Sequence, residues 1–485
     1  MSGLDLVPDE RRGLFIGGAW RPATGGATLE VRDPADDAVI TEVADATADD
    51  ARAALDAAVA AQHDWSRTPS RERSEILRRA FELVTSRADD LAELMSLEMG
   101  KNLTEAKGEV TYGAEFLRWF AEEAVRVHGR WMQNPAGGTR LLTMKKPVGP
   151  CFFITPWNFP LAMGTRKIAP AVAAGCTMVI KPASETPLTM LALAGLLDDA
   201  GLPGGVLNIV TTSSSAEIGE AVMSDERLRK VSFTGSTGVG KVLVKQAAEQ
   251  LQRVSMELGG NAPFLVFEDA DVEAAVQGAM VAKMRNMGEA CTSANRFLVH
   301  ESVAEQFGKL LGERMAALKV GRGQDDGVDV GPLITAKARE DVHSLVTGAV
   351  DAGARLVCGG EPIDGPGHFY PPTVLLDVPA EAEINREEIF GPVAPITTFS
   401  DEDEAVRRAN ETEYGLASYV YTRDLERTIR MAEALDFGMV GINSGLVSNA
   451  AAPFGGVKAS GFGREGGFEG IEEYLDTTYV NIQVG

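Results

Sequence analysis

Three side chains in this sequence have the types and settings for acyl chemistry. Cys291, in Gly288-Glu289-Ala290-Cys291, offers a thiol nucleophile, and Glu257, heading Glu257-Leu258-Gly259-Gly260-Asn261, offers a general base. Taken singly, a lone Cys is most often a small core residue, and a Glu before Leu-Gly-Gly suits a surface turn. Taken together they supply both halves of a nucleophilic mechanism. Asn158 lies in Pro156-Trp157-Asn158-Phe159-Pro160, directly after the apolar run Cys151-Phe152-Phe153-Ile154-Thr155. Two prolines fix a rigid turn at a strand's end, where ligand sites of α/β proteins lie. An Asn held there can aim its amide N–H at a developing oxyanion.

Other stretches suit the binding of an anion or a sugar. Val231 to Gly240 runs from strand to helix through Thr234-Gly235-Ser236-Thr237-Gly238. Such a turn cradles phosphate with main-chain N–H groups and a helix N-terminus. Its glycines, Gly235, Gly238 and Gly240, depart from the usual dinucleotide spacing. Lys181 and Ser184, in Ile180-Lys181-Pro182-Ala183-Ser184, end another apolar strand and offer donors to a ribose or its 2′-phosphate. Glu387-Glu388-Ile389-Phe390-Gly391-Pro392 sets a carboxylate before a tight turn, and Pro453 to Gly461 is a Gly-rich loop.

These segments need elements to position them. Thr47–Ala61 and Arg71–Ala92 carry apolar residues at helical spacing and read as amphipathic surface helices. Short apolar runs bounded by Gly or Pro read as buried parallel strands. They are Gly149–Thr155, Thr177–Lys181, Gly205–Val210, Lys230–Phe233, Pro263–Val266 and Arg296–His300. Helical segments such as Leu188–Ala200 and Glu217–Ser224 alternate with them, which argues for an α/β protein. Arg126–Leu142 reads as a projecting hairpin, and Tyr474–Ile482 as a terminal strand. A strand that needs a sheet partner, beside a projecting hairpin, points to self-association.

Composition narrows the class. The 485 residues are 45% hydrophobic and 24% charged, which excludes a disordered or fibrous chain. The net charge of −24 repels nucleic acid and anionic membrane, so any anionic ligand needs a local cluster of Arg or Lys. Met1 to Arg12 carries no apolar stretch of signal-peptide length, and Ala169–Ile180 is too short to span a bilayer. Four scattered cysteines, Cys151, Cys176, Cys291 and Cys358, suggest neither disulfide scaffold nor metal site. The expectation is a reduced, cytoplasmic protein without a metal.

Taken in order, PWNFP, KPAS, FTGST, ELGGN, GEAC, EEIFGP and PFGGVKASG resemble the motif series of the aldehyde dehydrogenase superfamily. The resemblance runs from about Leu14 to Ile482. It implies an α/β fold with a Rossmann-like cofactor-binding domain over 10–125 and 146–256 and an α/β catalytic domain over 257–445. A small β oligomerisation element over 126–145 and 466–485 would make a homodimer or homotetramer. By the same likeness Cys291 attacks the aldehyde, Asn158 and the Cys291 N–H hold the oxyanion, and Glu257 activates the water that hydrolyses the thioester. Thr155, Pro156, Trp157, Lys181, Ser184, Gly235, Ser236, Glu388 and Phe390 would bind the cofactor. Relatives that acylate CoA lack the general base, so Glu257 favours a hydrolytic dehydrogenase. Ser184, where NAD-preferring relatives commonly have Glu, resembles the NADP pattern, while the adjacent Glu185 keeps NAD in play.

Within the family the sequence is most similar to succinate-semialdehyde dehydrogenases. The likeness lies in Thr165-Arg166-Lys167, Arg285-Asn286, Gly441 to Gly445, Ser448-Asn449 and Ala459-Ser460-Gly461. It implies that Arg166, Arg285 and Ser448 receive the substrate carboxylate, for which an Arg fork is well shaped. Glutarate semialdehyde or an aromatic aldehyde is the alternative substrate. Rival classes, a non-catalytic relative or an esterase, fit less well because Cys291, Glu257 and Asn158 are all present. Two positions depart from the subfamily. Glu289 stands where Gln is common, and a carboxylate pointing inward there raises the thiol pKa. Ser293 stands where some relatives carry a second Cys, so no local disulfide can form.

Overall fold

A computed structural model describes residues 3–484. Met1, Ser2 and Gly485, the last of them in the expected 466–485 segment, lie outside the described residues. Two large sheets organise the chain. The first has eight strands, in the order Gly461–Phe462, Arg253–Glu257, Lys230–Thr234, Cys151–Ile154, Met178–Lys181, Leu207–Ile209, Leu14–Ile16 and Ala19–Arg21. Its five central strands are parallel. Chain order runs outward in both directions from Cys151–Ile154, so a switch point lies between that strand and Lys230–Thr234. A crevice opens there beyond the carboxyl ends of the strands.

The second sheet has seven strands, with Ala262–Val266, Ala294–His300, Val393–Phe399 and Ala417–Tyr421 at its centre. All pairs are parallel except Arg355–Cys358 against Thr373–Leu376. Central strands such as Met178–Lys181 and Ala262–Val266 are buried at every residue, as apolar runs covered on both faces should be. The projecting hairpin is real. Arg130–Gln133 pairs with Thr139–Pro147, which also pairs along its length with the terminal strand Leu475–Gln483. The terminal strand therefore finds its sheet partner within its own chain.

The helical pattern over Arg71–Ala92 is two helices, Ser70–Ser86 and Ala88–Met99, not one. Arg87 between them leaves helical geometry (φ −110°, ψ 23°) and its Nε donates to the Asp90 carboxylate at 2.6 Å. Asp89 and Asp90 fall in the first turn of the new helix, where negative charge is favoured. Among the described residues no helix is long and apolar enough to cross a membrane.

Candidate active site

The nucleophile's loop is shaped by its backbone. Three successive residues, Asn286, Met287 and Gly288, take left-handed φ values of 53°, 57° and 82°. Glycine is required at the third, because a Cβ there would sit 2.1 Å from the Gly391 carbonyl oxygen. This bend delivers Cys291 just ahead of strand Ala294–His300, and the Tyr419 hydroxyl anchors its far side by donating to the Thr292 carbonyl at 2.8 Å. Gly260 answers the same need from the other side, since a Cβ there would lie 2.2 Å from the Cys291 carbonyl oxygen. The motifs around Glu257 and Cys291 are thus in close main-chain contact.

Asn158 is fixed on every side. Its Nδ2 donates to the Glu289 carbonyl at 3.0 Å, and its Oδ1 accepts from the Phe159 N–H at 3.1 Å. Its own carbonyl accepts from Lys101 Nζ at 2.8 Å and from Asn286 Nδ2 at 3.1 Å. Lys101, fully buried, is neutralised by Glu109. Glu257 ends strand Arg253–Glu257, and neither of its buried carboxyl oxygens has a hydrogen-bond partner. Burial and the nearby Glu465 push its pKa well up, against the pull of Arg166 and Lys167. Burial pushes the Cys291 thiol up to about 12, with Arg166 pulling down and Glu388 and Glu257 pushing up.

One cleft of about 290 Å³ brings together Pro156, Trp157, Asn158, Gly235, Ser236, Glu257, Cys291, Glu388 and Phe390. Trp157 and Phe390 meet edge to face, ring centres 5.4 Å apart, and Phe390 holds φ at 52° to do so. Glu388 Oε1 accepts the Gly260 N–H at 3.0 Å, and burial raises its pKa to about 7. Ser236 caps helix Thr237–Glu249, whose N-terminus opens beside the cleft. Thr155 joins the neighbouring strand end through its N–H, which donates to the Lys181 carbonyl at 3.2 Å. Lys181 Nζ donates to Ser215 at 2.9 Å, and Ser184 donates to Glu185 at 3.0 Å. Neither of the two lines the cleft.

A second cavity, about 480 Å³, shares Phe159 with the cleft and is lined by Arg285, Ser448, Glu105, Lys101 and Tyr112. Arg285 Nη1 donates to the Ser448 hydroxyl at 3.3 Å, and its guanidinium lies over the Phe159 ring at 4.9 Å. Arg166 is placed differently. It is 1% exposed, forms an ion pair with Glu465 at 2.6 Å, and stacks on Phe454 at 3.8 Å. Glu465 also takes Lys167, and the two cations hold its carboxyl below its ordinary value despite burial. Glu465 and Lys101 carried no signal in the sequence. Each is a charge beside glycine, which reads as an exposed turn until the fold buries it.

A cysteine with a buried carboxylic acid and an amide donor, at the mouth of a doubly wound sheet, has the groups for nucleophilic chemistry at a carbonyl. The chain belongs to the aldehyde dehydrogenase family, whose model matches residues 20–480. It is 63% identical over 444 residues to a succinate-semialdehyde dehydrogenase of Paenarthrobacter nicotinovorans, covering 92% of this chain and 99% of that protein. It is 49% identical over 472 residues to the NADP(+) succinate-semialdehyde dehydrogenase GabD of Escherichia coli, covering 97% and 98%. A crystal structure of an E. coli NADP-dependent enzyme superposes with a TM-score of 0.97 at 48% identity, covering 99% of both chains.

Proposed function

We propose that this chain oxidises succinate semialdehyde to succinate, with NADP⁺ as the preferred cofactor. The observation that carries the reading is the Arg285–Ser448 pair, 3.3 Å apart in a cavity adjoining the Cys291 cleft. A guanidinium and a hydroxyl there can take the carboxylate while the aldehyde reaches the thiol. Arg166, matched by Glu465, adds positive field from behind rather than a free fork. The Cys291 thiolate attacks the carbonyl carbon, and the resulting oxyanion lies against the Asn158 amide and the Cys291 N–H. A nicotinamide held in the cleft would supply the hydride acceptor that oxidation of the Cys291 adduct to a thioester requires. Glu257 then takes a proton from water as the water adds, the C–S bond breaks, and the thiol is restored.

The residues present suit NADP⁺. Glu388 has one oxygen outside its Gly260 bond that would take a ribose hydroxyl, Trp157 and Phe390 would wall the nicotinamide, and Ser236 heads a helix whose N-terminus would receive the diphosphate. Lys181 is a buried cation with no carboxylate within ion-pair distance among the described residues, which suits a 2′-phosphate, while the nearby Glu185 charge opposes one. We assign 10–125 and 146–256 to cofactor binding, 257–445 to catalysis, and 126–145 with 466–485 to subunit contact in a homodimer or homotetramer. Trp131, Met132 and Tyr479, exposed on the three-stranded sheet, support that contact. Free cysteines support a reducing cytoplasm.

Initial rates with succinate semialdehyde, glutarate semialdehyde, propanal and benzaldehyde, with NADP⁺ or NAD⁺, test the reading. Arg285→Ala should raise KM for succinate semialdehyde about 10- to 100-fold, one charge-assisted hydrogen bond, and leave propanal unaltered. Equal effects on both aldehydes would remove the carboxylate assignment. A wild-type preference for glutarate semialdehyde would lengthen the substrate by one carbon and keep the site.

A further inference from the structure

The described site leaves one cluster of arginines unused. A polar cavity of about 370 Å³ lies in the second sheet's half of the chain, lined by Arg296, Arg386, Arg407 and Arg408. Two carboxylates, Glu381 and Glu411, share its wall, and Glu404 lies 3.6 Å from Arg408 behind it, so the four arginines outnumber the acids around them. The arginines come from three segments. Arg296 sits on strand Ala294–His300, Arg407 and Arg408 on helix Glu402–Asn410, and Arg386 follows the turn Glu383–Asn385. None of them lines the catalytic cleft or the cavity of Arg285.

Their partners show how much charge is unspent. Arg296 is 5% exposed and donates only to main-chain carbonyls: Asn261 at 3.1 and 3.2 Å, Arg408 and Ala409 at 2.8 Å. It closes the last turn of the helix, a sound structural role, yet no carboxylate lies within salt-bridge distance among the described residues. Burial and the like charge of Arg408 accordingly lower its pKa to about 10. Arg408 donates to the Thr398 carbonyl and lies 3.6 Å from Glu404. Arg407 makes a loose contact of 3.5 Å with Glu411 on its own helix. Arg386 is exposed, and its guanidinium makes neither hydrogen bond nor ion pair among the described residues. Helix capping accounts for Arg296, and Glu404 and Glu411 partly occupy Arg408 and Arg407, which leaves Arg386 without a side-chain partner on this wall.

We propose that this cavity binds a small anion of two or more charges, a phosphate ester or a di- or tricarboxylate, apart from the catalytic cleft. Planar guanidinium forks match both kinds of oxyanion. On a surface of net charge −24 a concave positive site is where such an anion would collect. The cavity also adjoins the segment that holds Glu388. Asn261 Nδ2 donates to the carbonyls of Asn385 at 3.0 Å and Arg386 at 3.2 Å, and the preceding Gly260 holds Glu388.

Calorimetric titration of the full-length protein with pyrophosphate and with citrate tests this, at fixed ionic strength, without NADP⁺ and again with NADP⁺ saturating the cleft. Saturable binding of at least one probe is expected. Arg386→Ala and Arg407→Ala, both at exposed positions, should weaken it about tenfold or more, and Arg386→Lys less. Binding of pyrophosphate alone identifies phosphate esters as the ligand class, and binding of citrate alone identifies carboxylates. Absence of saturable binding with either probe overturns the proposal. So does affinity unchanged in both alanine variants, or loss of binding once NADP⁺ occupies the cleft. The readout is independent of turnover, so it stands or falls separately from the substrate assignment.

Discussion

The side-chain amide of Asn158 donates to the main-chain carbonyl of Glu289 at 3.0 Å, two residues before Cys291. One amide hydrogen is spent on fixing the donor's plane against the nucleophile's own loop, and the other is left for the oxyanion. Asn158→Ala should therefore lower kcat about 10²- to 10³-fold, the usual worth of one oxyanion donor. Asn286 Nδ2 holds the same Glu289 carbonyl at 2.9 Å, so the loop keeps its anchor. A melting temperature close to wild type beside the lost rate is the expected pattern. A variant that melts early and loses rate in proportion would mean that Asn158 is structural.

Both Glu257 oxygens are buried without partners, an arrangement suited to a group that must accept a proton from water. Glu257→Gln should leave acyl transfer to Cys291 intact and stop its hydrolysis. Stopped-flow absorbance should show a burst of one reduced cofactor per site, followed by turnover slowed about 10²- to 10⁴-fold. A slow reaction with no burst would place Glu257 in an earlier step.

Burial holds the Cys291 thiol near a pKa of about 12 in the protein without ligands. Because the shift is upward, the thiolate fraction increases with pH throughout the accessible range. Alkylation by iodoacetamide should rise steadily to the highest pH at which the protein stays folded, without a plateau. A plateau near neutrality would show that a neighbour, with Arg166 the first to suspect, outweighs burial.

Parts of this site were legible from the sequence, and the reason is local. Ser236 after an apolar strand and before a Gly-bearing helix is a cap whatever surrounds it, and the structure makes it one. Pro-Trp-Asn-Phe-Pro after a strand could only be a turn at the strand's end. What sequence could not give is the pairing of charges far apart in the chain. Arg166 reads naturally with Arg285 and Ser448, yet the fold sets it against Glu465 from the last turn-rich stretch. The cavity arginines likewise come from three segments that have no pattern in common until the second sheet gathers them. The break at Arg87 was hidden because apolar spacing continues across it, while the backbone does not.

The Arg166–Glu465–Lys167 cluster is fully buried, and a buried acid that loses one of two cations is costly to leave behind. Arg166→Ala should destabilise the fold by about 3–5 kcal/mol. Thermal melting should show a clear drop for Arg166→Ala and little change for the cavity-lining Arg285→Ala. Glu465→Gln in the Arg166→Ala background should lose still more, since it leaves buried Lys167 without its counter-ion. Equal melting temperatures for the two arginine variants would contradict this division of roles.

Glu105 introduces a pH dependence into substrate binding. It lines the cavity with Arg285, and both its oxygens accept the Asn286 N–H at 2.9 Å. Burial raises its pKa to about 7, with Glu109 adding to the rise and the Asn286 N–H, Lys101 and Arg285 opposing it. Below that pH the group is neutral, and Arg285 is free to attract a carboxylate. Above it a negative charge stands in the same cavity and competes with the substrate. KM for succinate semialdehyde should climb about three- to tenfold between pH 6 and pH 8, the scale of one added charge in a partly solvated site. KM for propanal, which has no carboxylate, should stay flat across the same range. Glu105→Gln keeps an oxygen for the Asn286 N–H and cannot ionise, so its KM should be low and level throughout. A climb that persists in Glu105→Gln would assign the titration to another group.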